Sequence, residues 1–215
     1  MSNDTLRIIL VDDHAIVRTG YSRLLDAEPG LQVVGVAARA DEANALVAQV
    51  EADVALVDLS LKGSSGIEAI RGMLARRPGL KILVLSMHED AGHITQALRS
   101  GAHGYLSKHC EPEEVIDGIR GVAAGKRVFS PSIAQVLAEA AGNGGHAGAF
   151  AQLTPREFDV LRMRVQGESA GAIATSMQLS PKTVLNNLTA IRQKLAAEND
   201  VQLMHLAARH GLVQL

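Results

Sequence analysis

The chain has 215 residues, 47% hydrophobic and 20% charged, the make-up of an ordinary globular protein with room for two modest domains. A formal net charge of −2 argues against a nonspecific polyanion binder, and the single cysteine, Cys110, excludes an internal disulfide and a cysteine-rich zinc site. The first residues show no secretory pattern and no apolar run reaches membrane-spanning length, so a cytoplasmic protein with no membrane contact is expected.

The first 125 residues alternate short apolar runs with amphipathic stretches. Residues 7–11 read as a strand ending in Asp12-Asp13, and a helix follows with Val17, Tyr21 and Leu24 on one face. Leu31–Ala37 reads as a strand and residues 42–50 as a helix. Val54–Val57 reads as a third strand, ending at Asp58, and residues 67–75 as a helix stopped by Arg77-Pro78-Gly79. Residues 82–85 and 104–106 are the last two strands, ending at Ser86 and near Lys108, and each is followed by a helix, over residues 94–99 and 113–124. Strands that are apolar throughout and alternate with helices indicate a parallel sheet covered on both faces. The expected fold is therefore α/β, with a doubly wound five-stranded parallel sheet. One more helix is predicted over residues 130–141. The run Ala141-Gly142-Asn143-Gly144-Gly145-His146-Ala147-Gly148 is too glycine-rich to hold a packed element and reads as a linker. Beyond it the pattern is helical only. Thr154-Pro155-Arg156-Glu157 is a capping box, and helices are predicted at 170–177, Pro181–Leu195 and Asp200–Arg209. The expected division is 1–126 for the α/β domain, 127–150 for a helix and flexible linker, and 151–215 for a small all-helical domain.

Ligands bind an open parallel sheet at the carboxyl ends of its strands. Asp12, Asp13, Asp58, Ser86 and Lys108 each fall at such an end. Three carboxylates in one crevice repel one another unless a cation sits among them, and oxygen ligands of this kind suit Mg²⁺. A lysine and a hydroxyl beside that ion make a place for a phosphoryl group, and Asp58 on the central strand is the natural nucleophile for an acyl phosphate. A lone strand-end acid is usually a solvated loop residue, but five polar residues at strand ends point to a shared site.

Residues 7–125 resemble the receiver domain of two-component response regulators, a flavodoxin-like fold, through Val11-Asp12-Asp13-His14, Val57-Asp58-Leu59, Ser86 and Gly104-Tyr105-Leu106-Ser107-Lys108. The resemblance implies that Asp58 takes phosphate from a histidine kinase. It also implies that Asp12, Asp13, Asp58 and the Ser60 carbonyl hold Mg²⁺, and that Ser86 and Tyr105 are the switch pair, the hydroxyl moving toward the phosphoryl group as the aromatic turns inward. Ser60 and His88 occupy positions that tune the lifetime of that group. One departure is Lys62, where the family usually carries proline.

Residues 153–213 resemble the LuxR-type helix-turn-helix of the NarL/FixJ response regulators through Leu153-Thr154-Pro155-Arg156-Glu157, Gly167-Glu168-Ser169 and Leu179-Ser180-Pro181-Lys182-Thr183-Val184. Val184, Leu188, Ile191 and Leu195 recur at helical spacing and face a core. Lys182, Asn186, Thr189 and Gln193 form an opposite stripe, with Thr183, Asn187 and Lys194 beside it. Such a stripe suits a helix in a DNA major groove, where Asn and Gln pair with adenine edges, and Ser180 caps the helix at an end that can hold a phosphate. The expected DNA-contacting residues are Ser180, Lys182, Thr183, Asn186, Asn187, Thr189 and Lys194.

Residues 152–215 hold seven Lys and Arg against five Asp and Glu, a modest positive balance for a DNA-binding domain. Leu185 and Ala170-Gly171-Ala172 are neutral where the family is usually polar, so weak DNA contacts or strong dependence on dimerisation are expected. The two resemblances together imply a transcriptional regulator controlled by phosphorylation, a homodimer on activation, with a histidine kinase and a double-stranded operator as partners. A phosphohydrolase using an aspartyl phosphate typically carries Asp-x-Asp on its first strand, and here that strand ends Asp12-Asp13-His14, so an enzyme is not expected. The other alternative is a module that signals through protein contacts with a weakened or lost DNA-binding domain.

Overall fold

The computed structural model describes residues 5–61, 64–142, 150, 152–177, 179–210 and 212–213. Lys62 and most of the glycine-rich run lie outside these residues. The chain forms two compact units, residues 1–89 with 97–135 and residues 90–96 with 136–215.

The first unit is built on β1 (Leu6–Val11), α1 (Ala15–Asp26), β2 (Leu31–Ala37), α2 (Ala40–Gln49) and β3 (Val54–Val57). A short antiparallel pair follows, β4 (Ser60–Leu61) with β5 (Ser64–Ser65), and then α3 (Gly66–Arg76). The chain continues through β6 (Lys81–Ser86), α4 (Ala91–Arg99), β7 (Gly104–Ser107), α5 (Pro112–Ala123), β8 (Val128–Phe129) and α6 (Pro131–Gly142). The main sheet is parallel, in the order β2-β1-β3-β6-β7-β8.

The five expected strands are all present, and β8 adds a sixth at the edge. Two residues carry no periodicity, so β8 exists only through its pairing with β7, where Gly104 and Tyr105 face Val128 and Phe129. Ser130 reinforces the edge: its amide donates to the Tyr105 carbonyl (3.3 Å), and its hydroxyl accepts from the Ser107 amide (3.3 Å). A glycine is needed at 104, because a Cβ there would stand 2.7 Å from the Val128 carbonyl oxygen.

Alternation along each strand sends neighbouring side chains to opposite faces. Ile8, Leu10, Val54, Leu56, Leu83, Leu85 and Leu106 pack against Leu25 of α1 and against Val115, Ile116, Ile119 and Val122 of α5. The connections β2–α2–β3 and β3–α3–β6 run across the sheet in the direction opposite to β1–α1–β2, so right-handed crossovers place α2 and α3 over the other face. These two helices bury Ala43, Val47, Ile70 and Met73. With both faces covered, the strand ends are what the sheet leaves open for chemistry.

In the second unit, α7 (Pro155–Val165), α8 (Ala170–Ser176), α9 (Pro181–Leu195) and α10 (Asp200–Arg209) fall where the sequence signals put them. Each start has its cap: Thr154 accepts from the Glu157 amide, Ser169 from Ala172, Ser180 from Thr183 and Asn199 from Gln202. The capping box of α7 is complete, with the Glu157 carboxylate accepting from the Thr154 amide at 2.6 Å. The core joins Phe158 and Leu161 of α7, Ile173 of α8, Val184, Leu188 and Ile191 of α9, and Leu203 and Ala207 of α10.

Candidate functional site

β1 and β3 are adjacent and in register, Val11 facing Val57, so their ends deliver Asp12 and Asp58 side by side. Asp12 is 7% exposed and Asp58 3%. Lys108, just past β7, reaches back between them: its ammonium donates to Asp12 Oδ2 at 2.6 Å and to Asp58 Oδ2 at 2.7 Å. Those charge-assisted bonds offset part of the cost of burying two carboxylates together. The Ser60 amide donates to the other Asp58 oxygen at 3.2 Å.

Asp13 and the exposed His14 complete the cluster. His14 Nδ1 lies 2.8 Å from Asp13 Oδ1 and 3.1 Å from Asp12 Oδ1, and the His14 amide donates to Asp12 Oδ1 at 2.7 Å. Arg18 of α1 donates to the Asp12 carbonyl oxygen at 2.5 Å. Burial pushes the Asp58 carboxyl above the ordinary aspartate value, against the opposing pull of the Lys108 hydrogen bond and charge. For Lys108, burial alone would lower the ammonium's pKa, but its bonds to Asp12 and Asp58 prevail and raise it.

Ligand atoms of Asp12, Asp13, His14 and Asp58 lie within 4.8 Å of one another. Three of the four donors are carboxylate oxygens, the hard donor set that suits Mg²⁺.

Ser86 and Tyr105 lie on neighbouring strands and are fully buried. The Tyr105 hydroxyl donates to the His88 carbonyl at 2.6 Å, the inward arrangement of that ring, and Ser86 Oγ accepts from the His88 amide at 3.2 Å. Ser60 Oγ and His88 Nε2 are 2.9 Å apart, which joins the two residues flanking the acid cluster.

Sequence reasoning missed Gly66, His14 and Arg18 as parts of this site. A Cβ at Gly66 would stand 2.2 Å from the Asp58 carbonyl oxygen, so the start of α3 can close under Asp58 only with glycine there. A lone glycine before a helix carries no such signal.

In the helical unit, Lys182, Thr183, Leu185, Asn186, Thr189 and Gln193 are exposed along α9. Ser180 Oγ accepts from the Thr183 amide (3.1 Å) and lies 2.8 Å from the Thr183 hydroxyl, so this helix end is firmly capped. Two expected members depart from the exposed stripe. Asn187 is half-buried, and its amide nitrogen is enclosed without a hydrogen-bond partner among the described residues. The Lys194 ammonium is held by both oxygens of the buried Glu157 carboxylate at 2.7 and 2.6 Å. Periodicity could not reveal this, because Glu157 belongs to a different helix. Asp200 does the same for Arg164 and Arg192, at 2.6 and 2.7 Å.

Comparison with known proteins matches the two halves separately. Residues 8–120 match the family described as response regulator receiver domain, and residues 151–207 the family described as bacterial regulatory proteins, luxR family. The response regulator GacA of Pseudomonas aeruginosa is 37% identical over 209 residues, covering 97% of this chain and 98% of GacA. The response regulator UvrY of Escherichia coli K12 is 36% identical over 208 residues, covering 96% and 95%. Among solved structures, a LuxR-family response regulator from Aurantimonas sp. is 42% identical with a TM-score of 0.62, covering 64% of this chain and 99% of that one. RcsB of Salmonella enterica serovar Typhimurium, solved bound to promoter P1flhDC in the presence of the phosphomimetic BeF3-, has a TM-score of 0.65 at 25% identity, covering 94% and 98%. The strand-end acid cluster and the capped helical unit thus occur in the order these relatives share, and the chain belongs to the NarL/FixJ response regulators, which join a receiver domain to a LuxR-type helix-turn-helix domain.

Proposed function

We propose that this protein is a cytoplasmic transcriptional regulator whose reading of a DNA operator is switched by a phosphoryl group on Asp58. The observation that carries the reading is the single ammonium of Lys108 bonded to both Asp12 and Asp58 at the open end of the sheet. Residues 1–126 are then the receiver, 127–150 the connection, and 151–215 the DNA-binding domain.

Receiver domains use Mg²⁺ at their acidic phosphorylation site. Asp12, Asp13, Asp58 and the Ser60 carbonyl would hold it here, and it would supply positive charge for the transferring phosphoryl oxygens. An Asp58 carboxylate oxygen forms the new bond to phosphorus while the bond to the kinase's histidine nitrogen breaks, and that nitrogen keeps the electron pair. Lys108 exchanges a carboxylate for a phosphoryl oxygen, its raised pKa keeping it charged for that role. Ser86 offers its hydroxyl to a second phosphoryl oxygen, and Tyr105 holds the His88 backbone in the matching position. Dimerisation then presents two copies of Ser180, Lys182, Thr183, Asn186 and Thr189 to paired half-sites, while Asn187 stays half-buried and Lys194 stays on Glu157.

The test uses phosphoramidate with Mg²⁺. Wild type gains one phosphoryl mass and shifts toward dimer, whereas Asp58→Asn gains nothing and keeps its melting temperature, because a neutral amide suits a buried site. An adduct of equal yield on Asp58→Asn would sink the assignment.

One alternative is favoured by a specific observation. Three of the seven Lys and Arg beyond residue 151 are committed to Glu157 and Asp200, as a domain signalling through protein contacts without DNA would allow. Gel retardation with and without phosphoramidate separates the readings, since that module retards no duplex in either state.

A further inference from the structure

We infer that α9 reads an adenine–thymine step, with Asn186 on the adenine edge and Leu185 on the thymine methyl. The inference rests on α9 being the groove helix and concerns what that helix selects. Leu185 is 54% exposed although the core of this unit is complete without it. It stands three residues after Lys182, four before Thr189 and next to Asn186, so all four share one outward face. Thr189 adds little donor capacity there, because its hydroxyl donates to the Leu185 carbonyl at 3.0 Å. What remains is one apolar side chain beside one amide.

In the major groove a guanine offers two acceptors and calls for paired donors from Arg or Lys. This face lacks them: Arg192 and Lys194, the basic residues in the last turn of α9, are bound to Asp200 and Glu157. Lys182 stands beside the capped helix start, where a phosphate sits, and serves to position the helix. Adenine offers one acceptor and one donor, which one amide satisfies, and thymine alone carries a methyl group. The neutral residue at 185 is thereby a selecting contact, and no phosphate contact is lost by its being apolar.

The full-length protein, treated with phosphoramidate, is used to select bound sequences from a random duplex pool. The expected half-site contains adjacent A·T pairs. Replacing the contacted thymine with deoxyuridine, which lacks the methyl, weakens wild type about fourfold, as loss of one buried methyl implies, and leaves Leu185→Ala unaffected. Asn186→Ala loses roughly tenfold in its preference for adenine over guanine. Both residues are exposed, and unchanged melting curves confirm that the variants fold. A half-site without an A·T step, or a deoxyuridine penalty in Leu185→Ala equal to wild type, overturns the inference alone. No enriched sequence with wild type overturns the DNA-reading role of α9 and this inference with it.

Discussion

The two units use charge in opposite ways. At the strand ends of the first, the buried Asp12 and Asp58 meet a half-buried Lys108, three charges within bonding distance with the carboxylates in excess. Carboxylates in excess over the one ammonium leave net negative charge at the open end of the sheet, the setting that the proposed metal ion and phosphoryl group require. In the helical unit, Glu157 and Asp200 each neutralise basic groups of other helices, and the charges lock α7, α9 and α10 to one another. The outward face of α9 is left to a single lysine, two amides, hydroxyls and a leucine. Charge serves chemistry in one unit and architecture in the other.

The largest expected effect probes the first half of that contrast. Gly66→Ala adds a Cβ against the Asp58 carbonyl oxygen, and a shift of about 1 Å in the acceptor costs on the order of 100-fold in the rate of phosphoryl uptake. Mass spectrometry against time measures it, and an unchanged rate would show that the loop absorbs the methyl group without moving Asp58.

Next in size is the architectural role of charge in the second unit. Glu157→Ala removes a capping carboxylate and leaves Lys194 without its acid, at a cost of about 2 kcal/mol in stability of the helical unit by thermal melting. Acid titration should agree. Burial would raise the Glu157 pKa, but Lys194 and the Thr154 amide prevail and hold it below the ordinary glutamate value. A carboxyl lowered on folding contributes stability that is present above its unfolded pKa and is lost as pH falls through the folded one. Wild type should therefore lose stability through that acid window, while Glu157→Ala lacks this component.

The smallest effect separates the two kinds of lysine. Lys182→Ala should reduce the slope of log affinity against log salt by about 1, as loss of one phosphate contact does. Lys194→Ala should lower the melting temperature and leave the slope unchanged. Equal changes in slope would mean that Lys194 leaves Glu157 for DNA, and the contrast between the units would fail.

Much of this is legible in the amino-acid sequence. Asp12, Asp13, Asp58, Ser86 and Lys108 each stand at the end of an apolar run, and hydrophobic periodicity marks where such runs stop. Caps are equally local, so α7 and α9 begin where Thr154 and Ser180 announce them. The faces of α9 also followed from spacing, except at Asn187, which periodicity sets at the margin and packing turns half inward.

The sequence by itself determined the order of elements, the helical character of the second unit and the gathering of the strand-end acid cluster, because these depend on residues close along the chain or on ends of strands whose arrangement the parallel fold dictates. Only the tertiary structure decided that β8 forms, that Gly66 must lack a side chain, and that Lys194 faces Glu157 rather than solvent. Each of these is set by a partner in another element, Gly104, Asp58 or Glu157, whose approach is fixed only when the core packs.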